Sequence, residues 1–293
     1  VTVTRRLLAQ RSAALALAVV AALVLLALAA PLVSWLTGSP PTAFHGDAVD
    51  PALGGLPRGA AGGISTHHWL GVEPVNGRDV LARVLYGARV SLLIAVLATA
   101  LSVALGTALG LIAGFFGGWV DTAIGRTMDL LLSFPSLIFM IALISAAPGT
   151  DRRLLLVVVL GFFGWPYVGR IVRGQAMVLA RNEFVAAARV LGASRRTLLL
   201  REVLPNLTGP VLVVATMSIP GCIATEAGLS FLGVGVQAPT PSWGQMIATA
   251  VPWYAADPAY FLIPGVFLFV TVLAFNVLGD AVRDALDPRS QRR

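Results

Sequence analysis

Few residues in this 293-residue chain have the type and spacing that site chemistry requires. His67 and His68 are adjacent and precede Trp69, but no third ligand follows at a spacing that suits a metal, so they read as structural. Cys222 is the only cysteine and lies in an apolar run, which excludes an internal disulfide or a CxxC metal site. Gly233-Val234-Gly235 leads into a proline-rich segment instead of a helix and is no dinucleotide fingerprint. Neither a phosphate-binding glycine loop nor a nucleophile–base pair is visible, so no catalytic residue and no bound cofactor or metal is expected. Three carboxylates, Asp129, Glu226 and Asp280, lie in or near apolar stretches. A charge in lipid is costly, so each is expected to face protein, water or a partner. Glu226, the deepest, reads as a helix-packing hydrogen bond, with a polar position beside a pathway as the alternative. Asp129 and Asp280 are expected to pair with Arg126 and Arg283.

One polar segment has a stronger pattern. Residues 181–206 read RNEFVAAARVLGASRRTLLLREVLPN. Phe184, Ala187, Ala188 and Leu191 fall at i, i+3, i+4 and i+7, which predicts one apolar helix face. Gly192 is placed to end that helix in a left-handed conformation. Ser194 can cap a second helix carrying Arg195, Arg196, Arg201 and Glu202, which Pro205 is expected to stop. Helix, glycine turn and helix together predict a compact docking knob at a membrane surface. The alternative is an amphipathic helix lying on lipid headgroups, which its arginines also favour.

The surroundings of this segment are apolar. Hydrophobic residues make up 57% of the chain and charged residues 12%, with a mean hydropathy of +0.84, against about 25% charged for a soluble domain. Six runs are long enough to cross a bilayer as helices, which takes roughly 20 residues: 12–36, 88–116, 127–147, 154–178, 207–232 and 260–278. They lack the period-two alternation of strands, so the expected class is an all-α polytopic membrane protein. The first run follows Arg5, Arg6 and Arg11 and is longer than a signal core, so it reads as a retained anchor.

The net charge of +7 comes from arginine alone, and the arginines sit in short loops and tails, where they orient the chain in a membrane and do not mark a nucleic-acid site. With both termini in the cytoplasm, fifteen arginines lie on that side and six on the other. The expected organisation is a tail and first span (1–36), an extracytoplasmic loop (37–87), a five-helix core (88–281) containing the 181–206 loop, and a cytoplasmic tail (282–293). The 37–87 loop is rich in proline and glycine, which argues against a long helix. A second outer segment carries Trp243, Trp253 and Tyr254, residues suited to a membrane interface. Gly106, Gly110 and Gly114 share one face of the second span and invite close helix approach. Pro135, Pro166, Pro220 and Gly221 mark bent spans, of which Pro166, Pro220 and Gly221, with Glu226, are candidates for lining or packing a pathway.

Ala187-Ala188-x3-Gly192, continuing through Ala193 to Leu204-Pro205, resembles the signature loop of bacterial ABC-importer permeases. Where that family often has Glu, this chain has Ala186, with Glu183 one turn earlier. The likeness extends to His68-Trp69-Leu70-Gly71, Gly77-Arg78-Asp79-Val80, Gly117-Gly118-Trp119, Phe134-Pro135, Leu229-Ser230-Phe231-Leu232-Gly233, Pro241-Ser242-Trp243-Gly244, Asn276-Val277-Leu278-Gly279-Asp280 and Leu286-Asp287-Pro288-Arg289. Jointly these resemble C-type dipeptide and oligopeptide permeases. The resemblance implies a type I importer fold, a B-type permease as heterodimer partner, two ATPase subunits that bind ATP and magnesium, and an extracytoplasmic substrate-binding protein. It further implies that residues 181–206 dock into the ATPase, with Arg189 among the contacts, and that Trp69, Arg78 and Trp243 meet the binding protein. Permeases for nickel and other non-peptide solutes share much of the pattern. An ion-gradient transporter would need paired ionisable groups at midplane, whereas Glu226 is the single deep one.

Overall fold

The computed structural model describes residues 10–286; Arg5 and Arg6, and the Asp287-Pro288-Arg289 end of the last motif, lie outside the described residues. Helix α1 (Arg11–Thr37) ends at Gly38, which adopts a left-handed conformation with φ +67°. Residues 38–79 follow as a folded cap without a long helix, containing a two-stranded antiparallel ribbon of β1 (Val49–Asp50) and β2 (Leu56–Pro57).

Helix α2 (Val80–Phe116) begins eight residues before the apolar run that predicts it. Asp79 starts it by accepting a hydrogen bond from the Ala82 amide at 2.8 Å. Arg83 then lies inside the helix, fully buried among partners, and not in the loop its charge suggests. At 37 residues the helix is about 55 Å long, well beyond a hydrocarbon core of about 30 Å.

The expected third span, 127–147, is not one straight helix. Helix α3 (Gly118–Ser133) and helix α4 (Ser136–Ser145) are bent by 85° at Phe134-Pro135. Pro135 has no N–H to continue the ladder and holds Phe134 in extended backbone (φ −94°, ψ 147°). Helix α5 (Arg152–Leu179) is capped by Asp151, whose carboxyl is held down at about 2 by hydrogen bonds from the Arg153 side chain and amide. Helices α6 (Glu183–Val190) and α7 (residues 195–206) form the polar segment. Helix α8 (Thr208–Phe231), the short α9 (Trp243–Ala250) and α10 (Pro258–Leu286) complete the fold. The last helix includes residues 282–286, which the sequence assigns to a tail. Among the described residues, five helices are thus long and apolar enough to span a membrane, or six spans counting the bent pair.

The most extensive pairing is α2 against α5. A Cβ at Gly106 would lie 2.6 Å from Val168 Cβ, at Gly110 2.5 Å from the Gly169 carbonyl, and at Gly114 2.5 Å from the Arg173 carbonyl. Three side-chain-free positions therefore let the two backbones touch, and Ser102 Oγ donates to the Gly161 carbonyl at 3.0 Å across the seam. Around it, α8 packs on α2 and α10, and α1 on α2 and α10. Asp257 caps α10 by accepting from the Tyr260 amide at 3.4 Å, while its Oδ2 is buried without a partner. Burial pushes the Asp257 carboxyl above the usual carboxylate range.

Two outcomes follow from this packing. Gly110→Val lowers the thermal stability of the purified protein by about 2 kcal/mol or more, whereas Gly174→Ala on α5, with open space at its Cβ, leaves it unchanged. Because the folded state favours the neutral Asp257 carboxyl, that group's contribution is present in acid and lost as pH rises through its raised value. Asp257→Asn keeps a capping side chain and therefore raises the melting temperature at neutral pH. The advantage fades as pH falls through about 4.

Candidate functional site

The knob at residues 181–206 is built from its turn outward. Ala193 N donates to the Ala188 carbonyl and Gly192 N to the Arg189 carbonyl, each at 3.1 Å, closing the end of α6 around Gly192 at φ +86°. This is the Schellman arrangement, in which a left-handed glycine returns the chain while satisfying two terminal carbonyls. Ser194 Oγ accepts from the Thr197 amide at 3.2 Å and starts the second helix. That helix does not stop at Pro205. Residues Leu198–Val203 form a π-helical turn, the Leu204 amide reaches the Leu199 carbonyl, and Leu204–Asn206 continue as α-helix. The extra residue in the turn shifts the ladder so that the proline ring starts a new helical segment, where a missing N–H costs nothing.

The apolar face predicted for α6 points elsewhere. Of the four residues spaced at i, i+3, i+4 and i+7, only Ala188 is half-buried, while Phe184, Ala187 and Leu191 are exposed. The inward anchor is Val185, fully buried with Leu198, Val203 and Leu207 against Leu111 of α2 and Val168, Val172 and Ala176 of α5. A half-apolar face does not say which of its edges meets the protein, so Val185 is invisible to spacing alone. At the tip, Val190 and Leu191 are each 87% exposed. Glu183, Arg189 and Arg195 are exposed around them, and Ala193 is partly buried. A cavity of about 360 Å³ beside the tip is lined by Phe115, Phe116, Arg189, Ala193, Arg195 and Leu198. The knob thus offers an apolar point in a cationic surround, with its base wedged against α2 and α5.

Ion pairs tie α3 to α5 beside the knob. Arg173 meets Asp121 through both Nε and a second nitrogen, the latter at 2.7 Å. Asp129 pairs with Arg170 at 2.7 Å, not with Arg126, because α3 lies along α5 and brings that guanidinium across. No salt bridge joins Asp280, which is exposed, to Arg283 among the described residues.

Glu226 is buried, and its oxygens accept hydrogen bonds from Ser91 of α2 and Ser230 of α8 at 2.7 Å each. The same serines accept from the Trp243 and Val236 amides, so the carboxyl knits helices together. Pro166 and Pro220 are buried and Gly221 is exposed. None of these four lines the cavity of about 550 Å³ between α5, α8 and α10, which is bounded by Tyr167, Gln175, Val213, Met217 and Arg283. Tyr167 and Gln175 are polar interruptions of an apolar span, a signal visible in the sequence though not as a cavity wall.

At the opposite end, Trp69 is exposed, its Nε1 donating to the Thr66 carbonyl at 3.1 Å. Arg78 and Trp243 are not surface residues as expected. Arg78 is buried against Glu73, and Trp243 fills the core with its Nε1 donating to the Val84 carbonyl at 3.1 Å. His68 Nδ1 lies 2.8 Å from Asp79 Oδ2, a structural contact.

The family model for the binding-protein-dependent transport system inner membrane component matches residues 106–292, which contain the whole knob, four of the six expected spans and the end of a fifth. The chain belongs to this family. It is 39% identical over 287 residues to the oligopeptide transport system permease protein OppC of Escherichia coli (strain K12), covering 98% of this chain and 90% of that protein. It is 44% identical over 227 residues to the glutathione transport system permease protein GsiD of Shigella flexneri serotype 5b (strain 8401), covering 78% and 74%. Its fold is similar to a chain of the inward-facing MetNI methionine ABC transporter, with a TM-score of 0.54 at 17% identity over 70% of this chain and 96% of that one. An all-α importer-permease fold is therefore shown from sequence and structure together.

Gly192→Ala places a Cβ in left-handed backbone at a cost of about 1–2 kcal/mol. The turn is expected to loosen locally, so trypsin cleaves faster at Arg189, Arg195 and Arg196 while the global melting temperature changes little. Unaltered protection would show that the turn is not held by this conformation.

Proposed function

We propose that this chain is the C-type permease of an ATP-driven peptide importer, working with a distinct B-type permease, two ATPase subunits and an extracytoplasmic binding protein. In this reading both termini and residues 181–206 are cytoplasmic, and the cap at residues 38–79 faces outward. ATP and magnesium belong to the ATPase subunits, and this chain does no hydrolysis. The observation that carries the reading is the exposed Val190–Leu191 tip on a knob whose base is wedged against α2 and α5. A folded apolar point of this kind suits burial in a partner's cleft, where a few well-placed side chains provide most of the binding energy.

The geometry suggests how motion passes inward. The load reaches Val185, Leu198, Val203 and Leu207 and then α2 and α5, whose glycine seam leaves no soft side-chain layer between them. Packed elements of this kind move as rigid bodies between discrete arrangements. The inner cavity between α5, α8 and α10 would open or close as α5 tilts, with Tyr167 and Gln175 as its polar wall. A peptide cargo is supported by the two curated relatives, whose names specify oligopeptide and glutathione, itself a peptide.

Reconstitution with all partner subunits in proteoliposomes tests this. Uptake of a labelled short peptide is expected only with ATP and the binding protein, and excess nickel does not compete. Leu191→Asp with Val190→Asp costs no folding energy at such exposed positions, yet lowers uptake and binding-protein-stimulated ATP hydrolysis at least tenfold. Uptake driven by an ion gradient without ATP would overturn the proposal.

A further inference from the structure

The cap at residues 38–79 buries few apolar side chains: Val49, Val72, Pro57 and Pro74. What joins it to the helices is polar. Its turn is set by hydrogen bonds from Glu73 N to the Arg78 carbonyl at 2.8 Å and from Gly77 N to the Glu73 carbonyl at 2.9 Å. Gly77, at φ +64°, lies so close to the His45 carbonyl that any Cβ would overlap it. This turn aims the buried Glu73 carboxylate at three groups. Arg78 Nε donates to Oε2 at 2.6 Å, Arg83 Nε lies 2.5 Å from Oε1, and the Tyr260 hydroxyl donates to Oε1 at 3.1 Å.

Each group leads to a different part of the fold. Arg83 belongs to α2 and also donates to Gln245 Oε1 of α9 at 2.9 Å and to the carbonyls of Pro41 and Pro239, each at 3.2 Å. Tyr260 belongs to α10, and its hydroxyl lies 2.8 Å from Thr249 Oγ1 of α9. Arg78 leads outward, its guanidinium 5.9 Å from the exposed Phe44 ring. We propose that Glu73 is a positioning residue that clamps the cap to α2, α9 and α10, so that a partner pressing on the cap's exposed rim moves these three helices together. Phe44, Leu53, Ile64, Trp69 and Val75 are the exposed large apolar residues of the cap. Glu73 itself is buried and touches no partner; it acts through Arg78, Arg83 and Tyr260. The inference rests on the importer reading, in which the partner at this face is the extracytoplasmic binding protein.

A buried carboxylate shared by two guanidiniums and a phenol is held firmly because its partners are desolvated, the Arg78 hydrogen bond is charge-assisted and directional, and Arg83 adds a close ion pair. An amide of the same shape keeps the volume but loses the charge that holds both arginines. The test is Glu73→Gln in the full complex in proteoliposomes, titrated with binding protein. Expected are assembled complexes, basal ATP hydrolysis within twofold of wild type, a half-saturating binding-protein concentration within threefold, and maximal stimulated uptake at least tenfold lower. Stimulated uptake within twofold of wild type would overturn the clamp, as would a parallel loss of basal hydrolysis, which marks a merely structural role. Should Glu73→Gln not assemble, Tyr260→Phe decides, with Thr249→Val as its control: Tyr260→Phe keeps both ion pairs and removes the hydroxyl's bonds to Glu73 and Thr249, whereas Thr249→Val removes only the latter and leaves uptake within twofold. An at least threefold loss of maximal stimulated uptake then supports the clamp, and none overturns it. A wild-type complex without ATP-driven uptake overturns the importer reading and the clamp together, whereas a working wild type with unaffected variants overturns the clamp alone.

Discussion

Backbone contact between α2 and α5 is the constraint on which the rest of the structure depends. Gly106, Gly110 and Gly114 remove the side-chain layer that normally separates two helices, and the Gly169 and Arg173 carbonyls take its place. In lipid there is little hydrophobic drive for one apolar helix to prefer another, so close van der Waals fit and short interhelical hydrogen bonds decide the pairing. The seam also determines what lies at its ends. The base of the knob packs against both helices, and α3 is laid along α5, where Asp121 and Asp129 find Arg173 and Arg170.

The membrane setting also disciplines charge. The deep ionisable groups are held by geometry: Glu226 accepts from two serine hydroxyls, and Arg83 pairs with Glu73 and donates to carbonyls from distant loops. An unpaired charge at such positions costs several kcal/mol, so these partners come from different parts of the chain and pin those parts together. By contrast, the arginines at the knob's surface are exposed and available to a partner. Charge inside the fold holds helices in register, and charge on the knob stays at the surface.

Much of the fold was legible because spans are long and the bilayer demands internally satisfied backbone, which only helices provide segment by segment. The helix–glycine–helix of residues 181–206 was legible for a similar reason: Gly192 and Ser194 act through local hydrogen bonds. The errors share one cause as well. Arg83 reads as loop because charge counts against a span, Arg78 and Trp243 read as surface because the resemblance implies a binding-protein contact there, and Asp129 reads as paired with Arg126 in its own helix. Each depends on a partner that packing brings close: Glu73 for Arg83 and Arg78, the Val84 carbonyl for Trp243, and Arg170 for Asp129.

By itself, then, the order of residues determined the helical class, the approximate spans, the glycine face and the turn of the knob, since all four follow from contacts within a few residues or from the solvent the chain must meet. Its motifs also carried the family resemblance. Only the tertiary structure decided which face of α6 is anchored, how sharply the span bends at Pro135, which arginine each carboxylate takes, and that Glu73 joins the cap to three helices. Those choices come from competition among many compatible partners, and packing selects one by distance and burial, quantities that a linear pattern does not contain.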